Sequence, residues 1–424
     1  MSHSAQRETT GGAMFAWIRE LTGQERKTLI ATYGGWSVDA FDFMIYTFVI
    51  PTLMAAWGMT KGEAGIIATS ALLMSALGGW MAGALSDRFG RVRMLQITIA
   101  WFAFFTFLCG FTGSFTELLI VRSLQGLGFG GEWAVGSVMI GEIIRAEHRG
   151  KAVGTVQSGW AIGWGAAAVM FTVFFTLLPE DVAWRALFWV GLAPALLIFY
   201  IRRHVRDPEV FSATREKATL QGASFLEIFS PQLLRTTLLT SLMAAGMQGG
   251  YYAVTTWLPT YLKTVRGLSV INTGAYLVVI IAGALAGYLV AAWLSDRIGR
   301  RNTFFLFALC SALIAVIYTH IPISDATMLV LGFPLGFFVS GNFSGVGAFF
   351  TELFPSRVRG SGQGFAYNFG RGIGALFPAL VGFMSATMPL GAAIGLFAGI
   401  AYVVVIIAVA LLPETRGKEL AVYD

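Results

Sequence analysis

The sequence predicts an all-α membrane protein with twelve transmembrane helices in two pseudo-symmetric six-helix bundles. Of its 424 residues, 56% are hydrophobic and only 12% are charged, against about 25% charged in a soluble domain. A helix needs about 20 apolar residues to cross the hydrocarbon core, and twelve such runs follow one another along the chain. A loop sequence beginning at residue 83 also returns at residue 292, after half of those runs.

The runs lie near 28–56, 63–85, 94–112, 115–140, 150–178, 184–203, 233–262, 271–295, 302–320, 326–350, 359–387 and 391–412. They divide the chain into a cytoplasmic tail 1–27, a first bundle 28–203, a cytoplasmic linker 204–232, a second bundle 233–412 and a cytoplasmic tail 413–424. Residues 1–27 are polar and lack the apolar core of a cleavable signal peptide. Phe15, Trp17, Ile18 and Leu21 there suit either a short surface helix or a frayed end. Glycine is abundant at 51 residues, and clusters such as Gly78, Gly79 and Gly83 fit helices that associate by close approach.

Positive charge fixes the expected orientation, because basic loops stay on the cytoplasmic side. With both termini inside, 23 Lys and Arg fall in cytoplasmic segments, and only Lys61, Arg185, Lys263 and Arg266 lie opposite. The expected location is therefore the cytoplasmic (inner) membrane. Two further arginines, Arg122 and Arg371, sit within spans. The net charge of +6 is explained by these loops, so no nucleic-acid partner is expected. Cys109 and Cys310 lie in apolar segments and His3, His148, His204 and His320 are scattered, which gives neither a disulfide framework nor metal-ligand spacing. The glycine runs 126–131 and 370–374 sit inside apolar spans with no strand before them, a context unlike that of nucleotide loops. No cofactor is expected, and the chain is expected to act as a monomer.

The internal repeat is sharper than the hydropathy pattern. Residues 83–93, GALSDRFGRVR, recur as 292–302, AWLSDRIGRRN, at an offset of 209. Glu142 and Arg149-Gly150 match Glu352 and Arg359-Gly360 at an offset of 210. Such repeats are common in transporters, with the substrate site at their interface near mid-membrane. The repeated LSDRxGR loop resembles the signature of the major facilitator superfamily, and the resemblance covers nearly the whole chain. LPETRGKEL at 412–420 is similar to a further element of that family, and RDPEVF at 206–211 is a weaker counterpart. GGWSVDAFDF at 34–43, RSLQGLGFGGEW at 122–133 and VQSGWAIGW at 156–164 look most like the sialate and carboxylate proton symporters. Aromatic acid:proton symporters are similar too, through a DGxD element in the first helix; here Asp39-Ala40-Phe41-Asp42 has Ala in place of Gly.

Ionisable groups at membrane depth cost at least about 2.5–3.5 kcal/mol each on insertion scales. Five stand out: Asp39, Asp42, Arg122, Glu132 and Arg371. Asp39 and Asp42 are three apart and share one helix face. Two carboxylates so close resist joint ionisation, so proton coupling is expected of this pair; a cap or hydrogen bond to a neighbouring helix is the alternative. Arg122 and Glu132 lie ten residues apart in the fourth span, roughly 15 Å in rise, so each needs another partner, and the first span supplies two Asp. A proton on Asp39 or Asp42 would free the Arg122 fork for an anionic substrate; a permanent ion pair is the alternative. The resemblance adds that the family's fourth-helix RxxQG element, here Arg122 to Gly126 with Gln125, is tied to proton coupling.

No acidic residue lies at the depth of Arg371 in the second half, so a dissolved anion is its natural partner. Arg371 and Asn368 are therefore expected to bind substrate, with Gln248, Tyr251, Tyr252 and Asn342 at similar depth; packing or interhelical hydrogen bonds are the alternatives for these four. Trp36, Trp133, Trp160 and Trp164 are candidates to line the cavity on the side of the first half. In the repeated loops, Asp87 and Asp296 sit at helix ends while Gly90 and Gly299 permit a tight turn. Arg88, Arg91, Arg149, Arg297, Arg300 and Arg359 are expected to pair with Glu142, Glu352 or similar carboxylates as gates.

No Ser/His/Asp set or cofactor loop emerges, which argues against an enzyme, and no long cytoplasmic domain marks a sensor. The expected function is proton-coupled symport of a small organic anion, a monocarboxylate, sugar acid or aromatic acid, by rocking of the halves. Its partners are that anion, protons and membrane lipid. A neutral-sugar or drug carrier is the alternative, but it would leave Arg122 and Arg371 to be neutralised internally.

Overall fold

The computed structural model describes residues 17–193, 195–205, 225–355 and 358–416. Most of the expected linker, with the RDPEVF element, lies outside those residues, as do Phe15 and the side chains of Asp87, Arg88, Trp133, Glu142, Arg149 and Asp296.

Helices begin where side chains satisfy their first amide groups. Thr22 and Glu25 form a reciprocal capping box, so the first span runs Gly23–Trp57, five residues earlier than the apolar run alone indicated. Of the preceding tail, Trp17–Glu20 forms one helical turn, and Trp17 and Leu21 are buried. Thr60 caps the second span, Lys61–Phe89, and Ser269 caps the eighth, Val270–Ile298. Ser114 caps the fourth, Phe115–Ile143, and Ser324 caps the tenth, which begins as Asp325–Gly341. These caps repeat at the same offsets of 209 and 210 as the loop motifs, so the duplication extends to the opposite end of the molecule. The third and fifth spans are Arg91–Cys109 and Ala146–Leu177. Leu234–Thr260, Arg300–His320 and Leu390–Leu411 are the seventh, ninth and twelfth.

Three spans are interrupted. The sixth consists of Glu180–Val190 and Ala195–His204, and the tenth resumes as Val346–Leu353. The eleventh comprises Arg359–Gly374 and Phe377–Met384, with Pro378 at the start of the second piece. Arg371 thus occupies the last turn of a helix, not the middle of a continuous one. That end carries the negative pole of the helix dipole, which favours a cation.

Among the described residues, nine stretches are long and apolar enough to cross a membrane. The fourth, seventh and eleventh spans are not among these nine, and these three carry Arg122, Gln248 and Arg371. Large apolar side chains face outward instead, for example Phe199 and Leu196, about 70% exposed, as expected of a surface solvated by lipid.

Within the first half the second span packs on the fourth and the first on the fifth; within the second half the eighth packs on the tenth and the seventh on the twelfth. Glycines permit this closeness. A Cβ on Gly78 would overlap the Leu127 carbonyl, and one on Gly130 the Ser75 carbonyl. Gly83 is different, with no atom within 4 Å of the position its Cβ would take. The halves meet along the second and eleventh spans, where Ala379 N–H donates to Thr69 Oγ1 at 3.2 Å. They meet again along the fifth and eighth spans, and Lys263 lies 3.5 Å from Glu180 across the seam.

Replacing a glycine against backbone leaves no soft atom to yield. Gly130→Val is expected to abolish the monodisperse peak on size-exclusion chromatography. Gly83→Ala should keep that peak and leave Tm within about 2 °C, since surface changes fall within about 0.5 kcal/mol.

Candidate functional site

Among the described residues, five acidic or basic side chains lie within the fold at 2% exposure or less: Asp39, Asp42, Arg122, Glu132 and Arg371. Asp39 and Asp42 share a face of the first span but engage different partners. Asp42 lies 3.7 Å from Arg122 Nη1 and accepts a hydrogen bond from the Gln125 amide. The Arg122 guanidinium also lies 5.2 Å from the centre of the Tyr46 ring. This arrangement matches the expected meeting of the fourth span with an aspartate of the first.

Asp39 faces the Glu132 carboxyl group, which lies within its electrostatic reach together with Asp42. Gly35, one turn before Asp39, makes this approach possible, because a Cβ there would overlap Glu132 Oε1. Neither Asp39 oxygen nor Glu132 Oε2 meets an N–H or O–H of a neighbouring group. Glu132 thus stands with Asp39 and Asp42 as a third buried acid at this place.

Arg371 reaches the seam from the second half. Its Nε–H donates to Gln248 Oε1 at 3.3 Å, and Tyr252 donates its hydroxyl to the same oxygen at 3.3 Å. Gln248 Nε2 donates to the Tyr367 carbonyl at 3.0 Å, which fixes the amide's orientation. The guanidinium lies over Tyr367 at 5.1 Å and over Phe129, from the other half, at 5.6 Å. Nη1 has no hydrogen-bond partner. Asp39, across the seam, lies within electrostatic reach.

An aromatic cluster closes around these groups. Phe43 lies 6.0 Å from Phe129, 5.9 Å from Trp160 and 5.7 Å from Tyr252. Trp36 packs on Trp160 at 4.9 Å, and Trp160 Nε1 donates to the Tyr251 hydroxyl at 2.6 Å across the seam. Sequence reasoning missed Phe43, Phe129 and Tyr367. Phe129 was findable, since positions 122, 125, 129 and 132 form one helical stripe. Tyr367 stands one turn before Arg371 in the same way, whereas Phe43 carries no distinguishing signal.

Two predicted substrate ligands lie apart from this centre. Asn342 Nδ2 donates to Ser311 Oγ at 3.0 Å and to the Phe338 carbonyl at 2.9 Å, inside the second half. Asn368 donates to the Gly364 carbonyl at 3.0 Å, and its Oδ1 packs toward Gly79 of the second span.

At the basic end, Gly90 and Gly299 adopt φ of 98° and 99°, the left-handed region that suits glycine. Arg91 donates to the Ser86 hydroxyl, and its counterpart Arg300 donates to the Ser295 carbonyl and to Glu352 at 3.1 Å. Glu414 of the LPETRGKEL element accepts the backbone N–H groups of Arg300 and Arg301 at 2.9 and 3.1 Å, capping the ninth span. Arg297 stacks on Trp293 at 4.3 Å, and Arg359 donates to the Thr351 carbonyl at 3.0 Å. The side chains of Asp87, Arg88, Glu142, Arg149 and Asp296 lie outside the described residues.

Comparisons with known proteins agree with this architecture. A family model described as the Major Facilitator Superfamily matches residues 33–377 and 281–422. A protein of Cupriavidus pinatubonensis, named a probable 4-methylmuconolactone transporter, is 44% identical over 406 residues, covering 95% of this chain and 94% of its own. The cis,cis-muconate transport protein of Acinetobacter baylyi is 29% identical, covering 85% and 86%. The sialic acid transporter NanX of Escherichia coli is 27% identical, covering 89% and 91%. The structure of the proton:xylose symporter XylE bound to 6-bromo-6-deoxy-D-glucose has a TM-score of 0.71 at 18% identity, covering 94% and 98% of the two chains, a likeness of fold.

Removing one partner of a buried ion pair costs about 3–5 kcal/mol. Asp42→Leu should therefore lower the unfolding free energy in detergent by about that amount. Asp39→Asn, which replaces a buried acid whose oxygens have no hydrogen-bond partner with a neutral isostere, should cost less than about 1 kcal/mol. Equal losses in thermal or denaturant melts would contradict the assignment of the two clusters.

Proposed function

The chain belongs to the Major Facilitator Superfamily, and we propose that it carries a small organic anion with protons across the cytoplasmic membrane, both termini on the cytoplasmic side. The observation that carries this reading is Arg371, 2% exposed at the seam with Nη1 unpartnered, within electrostatic reach of Asp39 in the other half. Bidentate recognition of a carboxylate is what a guanidinium fork offers. An anion on Arg371 places negative charge beside Asp39, where a second negative charge is unfavourable unless the Asp39–Glu132 pair keeps its proton. Anion and proton thus reinforce each other's binding, a coupling that is reciprocal.

Arg122 and Asp42 offer the same logic a second time. Protonation of Asp42 frees Arg122 for an anion, with Gln125 as a further ligand. Rocking of the halves then exposes the loaded seam to each side in turn. The Arg300–Glu352 pair, 15% and 12% exposed, and the Glu414 cap brace the cytoplasmic end of the second half. Two relatives are named for 4-methylmuconolactone and cis,cis-muconate, which favours an unsaturated carboxylic acid over a sugar acid as substrate.

In proteoliposomes, uptake of labelled 4-methylmuconolactone or cis,cis-muconate should rise several-fold under an inward proton gradient. Uptake of every transported acid that ignores the gradient would eliminate symport. Arg371→Lys retains the charge but loses the planar fork, so its apparent affinity should fall about tenfold or more; wild-type affinity in that variant would remove Arg371 from the substrate role.

A further inference from the structure

A void of about 10 Å³ crosses the seam next to this site, lined by Trp164 of the fifth span, Thr255 of the seventh, Ile280 of the eighth and Leu335, Val339 and Ser340 of the tenth. That is room for one oxygen atom the size of a water molecule. Trp164 is 2% exposed and its Nε1–H has no hydrogen-bond partner. Of the other polar groups, Thr255 donates to the Tyr251 carbonyl at 2.8 Å, while the Ser340 hydroxyl, 1% exposed, likewise has no hydrogen-bond partner. The remaining lining is aliphatic, and none of the lining residues is charged.

An indole N–H donates and cannot accept, so whatever satisfies Trp164 must bring an acceptor. A carboxylate in this aliphatic lining would lack a counter-charge, which is costly. A neutral carbonyl oxygen meets both requirements. The void also stands in register with the anion site, since Thr255 follows Gln248, the partner of Arg371, by seven residues, a rise of roughly 10 Å. The Trp160–Tyr251 hydrogen bond lies between them along the same helices. A hydrogen bond at each end takes roughly 3 Å, leaving on the order of 4–5 Å between the two substrate oxygens.

We propose that Trp164 Nε1 is a specificity-determining donor for a neutral ketone, ester or lactone carbonyl on a monoanionic substrate whose carboxylate is held by Arg371. The inference rests on the anion-carrier reading and narrows it: an acid with a single distal carbonyl is preferred both to a plain acid and to a dicarboxylate. Burying a donor that a carbonyl-free analogue leaves unpaired is what makes such a site selective.

Two monoanions that differ in one exocyclic oxygen test this, (5-oxotetrahydrofuran-2-yl)acetate and (tetrahydrofuran-2-yl)acetate, titrated calorimetrically into the purified full chain in detergent. The wild-type protein should bind the lactone about five- to thirtyfold more tightly, the worth of one buried hydrogen bond. Trp164→Phe should erase that ratio by weakening the lactone alone, whereas Arg371→Lys should weaken both. Equal wild-type affinities overturn the proposal and leave the anion-carrier reading standing, and this comparison needs no variant to fold. A Trp164→Phe protein that loses both acids in equal measure reduces Trp164 to packing. Failure of either acid to bind, together with absent acid uptake in proteoliposomes, removes the anion-carrier reading and this proposal with it.

Discussion

Five ionised or ionisable side chains buried in a lipid-solvated protein must be neutralised, and the architecture follows from how that is done. Asp42 answers Arg122 within the first half. Asp39 and Glu132 are two acids with no arginine in contact, and in the proposed reading they share a proton. Arg371 has no carboxylate in contact, and is held by Gln248 and by aromatic faces near a helix C-terminus. Aromatic rings stabilise a cation by about 0.5–2 kcal/mol, less than an anion in a desolvated site offers. A residual appetite for negative charge is therefore built into the seam.

That seam can respond because the rest of each half is stiff. Backbones touch at Gly78, Gly126 and Gly130 in the first half and at Gly283, Gly287 and Gly336 in the second, where interdigitation leaves no slack for sliding. Contacts between the halves include close backbone approaches at Gly65 and Gly382, but add aromatic edges, an N–H to side-chain hydrogen bond and one exposed ion pair. Exposed pairs are worth about 0–1 kcal/mol, so they yield before the half-bundles do.

Much of this was legible in the sequence, for reasons that mark where legibility ends. Spans, duplication and the five intramembrane charges are one-dimensional signals of hydropathy, offset and residue type, and they identified the helices that carry the site. Partner choice was less readable. Spacing brought Asp39 and Asp42 to one face, but it says nothing of Gly35, whose missing Cβ admits Glu132 from another helix beside them. Similarly, the polarity of Asn342 says nothing of which way its helix is rotated; the amide faces Ser311 inside the second half. The aromatic shell was hidden because Phe43 in an apolar helix looks like any lipid-facing residue, and only packing separates the two.

The duplication also has a bearing on biogenesis. Spans one to six leave the ribosome first, and their intramembrane acids and arginine balance one another before the remaining chain is made. The later half enters the bilayer with Arg371 and no acid at its depth to offset it, so it depends on an already assembled predecessor. Order of synthesis and order of neutralisation thus coincide, and a circular permutant that began with the later half would have to insert its unbalanced cation unaided.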